Sequence, residues 1–186
     1  MTLPGREGRA APDVFTHSAV NDRDGLVRSY PGQEANVMTQ PLYTGQVRTV
    51  GESMARSTTE AQAFKIFMDE PVELGGSNGA PSPLDFVLAA HAGCLNYMTF
   101  YIARELGIPV TGTEITVQGS LNPAKFAGTN ANVRAGYQSL TATIHVQGSA
   151  TPEQLLHLQR EIETRCPVSD NLAHPTPVHL SLRVAG

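Results

Sequence analysis

SPLDFVLAAHAGCL, residues 82–95, opens like a helix and carries a cysteine in its apolar middle. Ser82 stands at an N-cap position, Pro83 at N1 and Asp85 at N3, a capping box with Asp where Glu is usual. The pattern predicts a helix to about Leu106, where Gly107 ends it and Pro109 forbids continuation. Its first half, FVLAAHAGCL, is apolar nearly all round. A helix without a polar face is buried on most sides, so this is the central helix of the fold or part of a subunit interface.

Upstream, residues 1–40 read as an irregular arm, because Gly5, Gly8, Pro12, Gly25, Pro31 and Gly32 interrupt any period. The domain is expected from residue 41 to 186. QVRTV and the alternating AQAFKIFMD (Ala61–Asp69) read as strands, and EPVELGGSNGAPSP then breaks regular structure. Downstream, TEITVQGSL (Thr113–Leu121) and YQSLTATIHVQG (Tyr137–Gly148) are strands around a loop. A second helix starts at Thr151 with Pro152 at N1 and Gln154 at N3, a second capping box. Leu155, Leu156, Leu158 and Ile162 give it an apolar face. It ends near Arg165 because Pro167 restricts Cys166, with a short helical turn over VSDN. PVHLSLRV is read as a last strand. The order of strands, helix, strands, helix and strand predicts an α+β fold with mainly antiparallel pairing.

The chain has 186 residues, 40% of them hydrophobic and 16% charged, with a net charge of −4. Length and composition suit one globular domain with an extension. The negative balance, the absence of Lys/Arg runs and the absence of Trp argue against nucleic-acid binding. No stretch reaches the roughly 18 uninterrupted apolar residues of a membrane span, and the first twenty or so residues lack the apolar core of a secretory signal. A cytoplasmic protein with no membrane association is expected. In that compartment a cysteine pair more often means redox or metal chemistry than a structural disulfide. Cys94 and Cys166 are the only 2 cysteines and have no CxxC spacing, and the 6 histidines are scattered singly, so a zinc site is not indicated.

Cys94 reads either as an inert core thiol or as one half of a reaction centre. Three features favour the second reading. Ala92 and Gly93 leave the backbone open to close approach. His91 lies three residues back on the same helical face, where an imidazolium could favour thiolate. Cys166, followed by Pro167, ends the other helix. His91 can equally be a histidine satisfied by a backbone carbonyl.

DEPVELGGSNGAPSPLDFVLAAHAGC, with CPVSDNL following 72 residues (166 − 94) after its cysteine, resembles the OsmC/Ohr family. The shared pattern is a Gly-Gly loop, a P-L-E-like helix start, A-A-x-x-x-C, and C-P-x-S near the end of the second helix. The resemblance covers about Gln46 to Arg183. It implies two antiparallel sheets around central helices in an intertwined homodimer, with active sites at the subunit interface. It also implies a thiol peroxidase for organic hydroperoxides. Cys94 would be the peroxidatic cysteine, passing through a sulfenic acid, and Cys166 the resolving cysteine that forms a disulfide with it. A dithiol reductant, lipoyl or thioredoxin-like, would restore the thiols, and no metal or organic cofactor is implied.

Family peroxidases hold the thiolate with an arginine oriented by a glutamate ten residues before the first cysteine. Leu84 occupies that position here; the nearest carboxylate, Asp85, has a capping role that explains it without catalysis. Arg56, or else Arg48, is the candidate arginine. The departure leaves an alternative function open: a module that binds an apolar or electrophilic small molecule at the dimer interface.

Overall fold

The structure is a computed structural model that describes residues 42–184; the arm expected over residues 1–40 lies outside the described residues. Three short antiparallel strands come first: β1 (Val47–Gly51), β2 (Ser57–Ala61) and β3 (Phe64–Met68), in the order β1-β2-β3. The stretch read as one strand from Ala61 is therefore the end of β2, a turn and β3. Gln62 makes that turn with φ 54°. STTEA escaped the reading because only its pairing with β1 and β3 makes it a strand.

Asp69 ends β3 and knots the loop that follows. Its carboxylate accepts hydrogen bonds from Ser77 Oγ (2.6 Å), Ser77 N (3.0 Å), Gly79 N (3.0 Å) and Glu70 N (2.9 Å). A side chain at Gly76 would run into the Glu70 backbone, so glycine is required by close approach there. The Asp69 N–H donates to Pro81 O at 3.3 Å, which leads the chain directly into helix α1 (Pro83–Glu105).

α1 begins as the sequence predicts. Ser82 Oγ accepts from Asp85 N at 3.2 Å, and the Asp85 carboxylate accepts from Ser82 N at 2.9 Å. Leu106 is the C-cap and Gly107 follows in the left-handed conformation, φ 65°. Two long strands, β4 (Val110–Leu121) and β5 (Tyr137–Gly148), form an antiparallel pair beside it. Thr113, Ile115, Val117, Gly119 and Leu121 are half-buried while the residues between them are exposed, the alternation of a half-covered sheet. Tyr137 Oη donates to Leu84 O at 3.2 Å and ties β5 to the first turn of α1.

Helix α2 (Pro152–Arg165) starts with the expected Thr151–Gln154 capping box, and α3 (Pro167–Ala173) follows after a single non-helical residue, Cys166. One buried cluster joins these elements: Leu95, Met98, Ile102 and Ala103 of α1, Ile108 in the turn before β4, Leu158 and Ile162 of α2, and Cys166. Ile115, Val117 and Ile144 of the β4–β5 pair pack against it. At 23 residues α1 is long and apolar enough by composition to cross a membrane, but one face of it is buried in this cluster.

The opposite stripe of α1 is uncovered. Ala89, Ala90, Gly93, Tyr97, Phe100 and Arg104 are all exposed and follow one another at helical spacing. Burial on most sides, expected from the sequence, is thus not reached within one chain. The last strand expected over PVHLSLRV is also absent: residues 175–184 pair with no strand among the described residues. Val178, Leu180, Leu182 and Val184 are 86–98% exposed. The alternation is real, but a strand needs a neighbour to complete its hydrogen bonds.

Candidate functional site

Pro167 determines the geometry of the second cysteine. Its ring excludes the helical region for the residue before it, and Cys166 is extended, with φ −75° and ψ 112°. Cys166 nevertheless serves both helices. Its N–H donates to Ile162 O (3.0 Å) as the last bond of α2, and its carbonyl accepts from Asp170 N (3.0 Å) as the first of α3. The break turns the side chain into the core, where Cys166 is 1% exposed. There its Sγ lies 3.4 Å from Cys94 Sγ. Both thiols are free.

The two sulfurs have different surroundings. Burial pushes the Cys94 thiol up, opposed by the Val168 N–H. Burial also acts upward on Cys166, but the Ser169 hydroxyl, the Ser169 and Val168 N–H groups and the neighbouring Cys94 outweigh it and hold that thiol below its ordinary value.

His91 does not act as sequence reasoning allowed. Its Nε2 is 2.9 Å from Ser169 Oγ, neither at a backbone carbonyl nor beside a thiolate as an imidazolium. Burial lowers its pKa and favours the neutral ring. Its Nδ1 is buried without a partner.

The other predicted residues lie elsewhere. Asp85 is two and a half turns before Cys94, roughly 13 Å along the helix axis, and its carboxylate is engaged with Ser82 N and Oγ (2.9 and 2.7 Å). Leu84 is 44% exposed. Arg56 begins β2's approach: its carbonyl accepts from Glu52 N (2.9 Å) and Ser53 N (3.2 Å), and its side chain borders a shallow depression with Glu52, Ser57 and Phe67. Arg48 faces Glu60 across the β1–β2 pair at 3.8 Å. Neither arginine is among the groups that polarise the sulfurs.

Ser169 was missed as a site residue. Its signal lay in CPVS: Cys166 is the N-cap of α3, and the third residue after an N-cap faces back toward it. Among the described residues no cluster of three or more His, Cys, Asp or Glu side chains is arranged to hold a metal.

Known structures share this architecture. An OsmC-like protein from Mycoplasma pneumoniae matches with a TM-score of 0.61 at 17% identity, over 70% of this chain and 88% of the other. An organic hydroperoxide resistance protein from Legionella pneumophila matches with a TM-score of 0.53 at 23% identity, over 71% and 90%. One from Elizabethkingia anophelis gives 0.53 at 18% identity, over 70% and 89%. At these identities the likeness is one of fold. A comparison with curated proteins found no match. The family model described as OsmC-like protein matches residues 76–181, which include both cysteines and the Ser82 cap, and the chain therefore belongs to the OsmC-like protein family.

Proposed function

We propose that the chain is a thiol-dependent peroxidase that reduces organic hydroperoxides through a Cys94 sulfenic acid and a Cys94–Cys166 disulfide. The observation that carries this reading is the 3.4 Å approach of two free sulfurs across 72 residues of chain. Fold relatives named for organic hydroperoxide resistance support it. The Cys94 thiolate attacks the O–O bond and takes up oxygen; Cys166 then condenses with it, and a lipoyl or thioredoxin-like dithiol restores both thiols.

The same reading includes a homodimer. The uncovered stripe of α1, the exposed Phe64 and Phe67 of β3 (72% and 60%) and the unpaired apolar residues 178–184 are surfaces that a second copy would cover. Arg56 and Asp85 are retained as candidate site residues only within that dimer, where a second chain could bring a guanidinium to the thiols.

One equivalent of cumene hydroperoxide should convert the protein to a form with an intrachain Cys94–Cys166 disulfide, seen as the loss of two hydrogens per chain by mass spectrometry. Cys94→Ser should abolish peroxide consumption; turnover by that variant at the parent rate refutes the peroxidase. A second reading is a module that binds an apolar or electrophilic molecule, favoured by the upward push on Cys94 and by Leu84 in place of a carboxylate. Slow thiol oxidation together with a co-purified ligand would select it.

A further inference from the structure

We infer that the His91–Ser169 hydrogen bond is a clasp that holds Cys166 against Cys94, and that it commits a Cys94 sulfenic acid to the disulfide instead of to overoxidation. The second half rests on the peroxidase reading; the first stands on the geometry alone.

Two links join α1 to the junction of α2 and α3. The cysteine sulfurs approach to 3.4 Å, and His91 Nε2 lies 2.9 Å from Ser169 Oγ. His91 is three residues before Cys94 on α1, and Ser169 is three residues after Cys166 on the other side. Each step is close to one helical turn, so the links lie side by side.

Little else fastens α3 to α1. It spans seven residues, none of them buried, although half-buried Val168 packs against the core cluster. Its other side-chain bonds stay local. Asn171 Nδ2 donates to Pro167 O (2.8 Å), Thr176 Oγ1 donates to Asn171 Oδ1 (2.9 Å), and Asp170 pairs with His174 (2.9 Å). Among the described residues, His91–Ser169 is the one side-chain hydrogen bond between α3 and α1. His91 is 8% exposed, so water competes little for that bond. Either ring tautomer keeps it, because a serine hydroxyl donates as well as accepts. Cys166 alone joins α3 to α2, so a tilt of α3 away from α1 draws on the Cys166 backbone and moves its sulfur.

That contact matters because two reactions compete for the sulfenic acid. In the first, the Cys166 sulfur attacks the Cys94 sulfur. The S–S bond forms, the S–O bond breaks, and hydroxide leaves with the Cys166 proton as water. In the second, the sulfenic sulfur attacks another organic hydroperoxide. The O–O bond breaks, one oxygen passes to Cys94 as sulfinic acid, two electrons pass to the peroxide, and the alcohol leaves. The first reaction is intramolecular and scales with the time the sulfurs spend in contact. A disulfide spans about 2.0 Å, so the resting contact needs only a small contraction.

The test equilibrates the full chain with glutathione redox buffers, then counts disulfide and free thiols by acid quench, alkylation and mass spectrometry. Ser169→Ala and His91→Leu should each lower the effective concentration of the cysteine pair about fivefold, the worth of one hydrogen bond. The double variant should lose no more than either single one, because both remove the same bond. Ser169→Thr and His91→Gln, which keep a hydroxyl and a terminal nitrogen in place, should stay near the parent; the His91 pair decides the matter if Ser169→Ala fails to fold. With excess cumene hydroperoxide, the two loss variants should accumulate several times more Cys94 sulfinic acid, read as the gain of two oxygens. Additive losses in the double variant, or glutathione equilibria unchanged in both single variants, overturn the clasp. Parent-like overoxidation in variants whose equilibria do shift overturns its role in the fate of the sulfenic acid. A protein inert to cumene hydroperoxide but with the expected shifts upholds the clasp and overturns the peroxidase reading.

Discussion

Asp69 shows what a single buried carboxylate does in this fold. It is 2% exposed, and the Ser77 hydroxyl, followed by the Gly79 N–H, lowers its pKa to about 2. In the unfolded chain the same group titrates near 3.9. Between those values the unfolded state binds more protons, so the contribution is complete above about pH 4 and is lost as pH falls toward 2. Chemical denaturation between pH 5 and 2 should show stability falling through this window, and Asp69→Asn should flatten that part of the profile. None of this was legible in GGSNG, which read only as a break, because the acceptor lies on the strand before it. The cysteines were legible as a pair through their motifs. Their 3.4 Å approach was not, because it depends on the bend that Pro167 imposes at Cys166.

The helices announced themselves because their ends are encoded locally. Ser82–Asp85 and Thr151–Gln154 are read within four residues, and both boxes form. Strands β4 and β5 were legible from alternation, with β4 starting three residues earlier than expected because Val110 pairs with Gly148. β2 was missed, and the last strand was expected but does not form among the described residues, since a strand is defined by a neighbour that local sequence does not contain. Packing between α1 and α2 makes Ile102 central: it is fully buried among Met98, Leu158 and Ile162. Ile102→Ala should cost about 3 kcal/mol in urea denaturation. A loss under 1 kcal/mol would mean that the cluster relaxes or is not the core. Arg165 ties the ends of the same two helices through Glu105 of α1, and Glu161, one turn back on α2, holds it from its own helix.

At the scale of the whole molecule, the described chain leaves large apolar side chains in water. Tyr97 and Phe100 are 52% and 39% exposed on the same stripe as Gly93, where nothing lies within 4 Å of an added side-chain carbon. A homodimer closing on this stripe predicts that Gly93→Leu, harmless to an isolated chain, shifts the protein to monomer in sedimentation velocity while its helical circular dichroism persists. An unchanged dimer with Gly93→Leu would remove this stripe from the interface.

The 72-residue separation of the two sulfurs has a consequence at the ribosome. Synthesis at about 5–20 residues per second leaves Cys94 without its counterpart for roughly 4–14 s. During that interval the helix bearing it lacks β4, β5 and α2, and with them the cover of its apolar side. The nascent thiol is thus most open to oxidation in that interval, and its protection then falls to reductants and to chaperones that shield greasy helices.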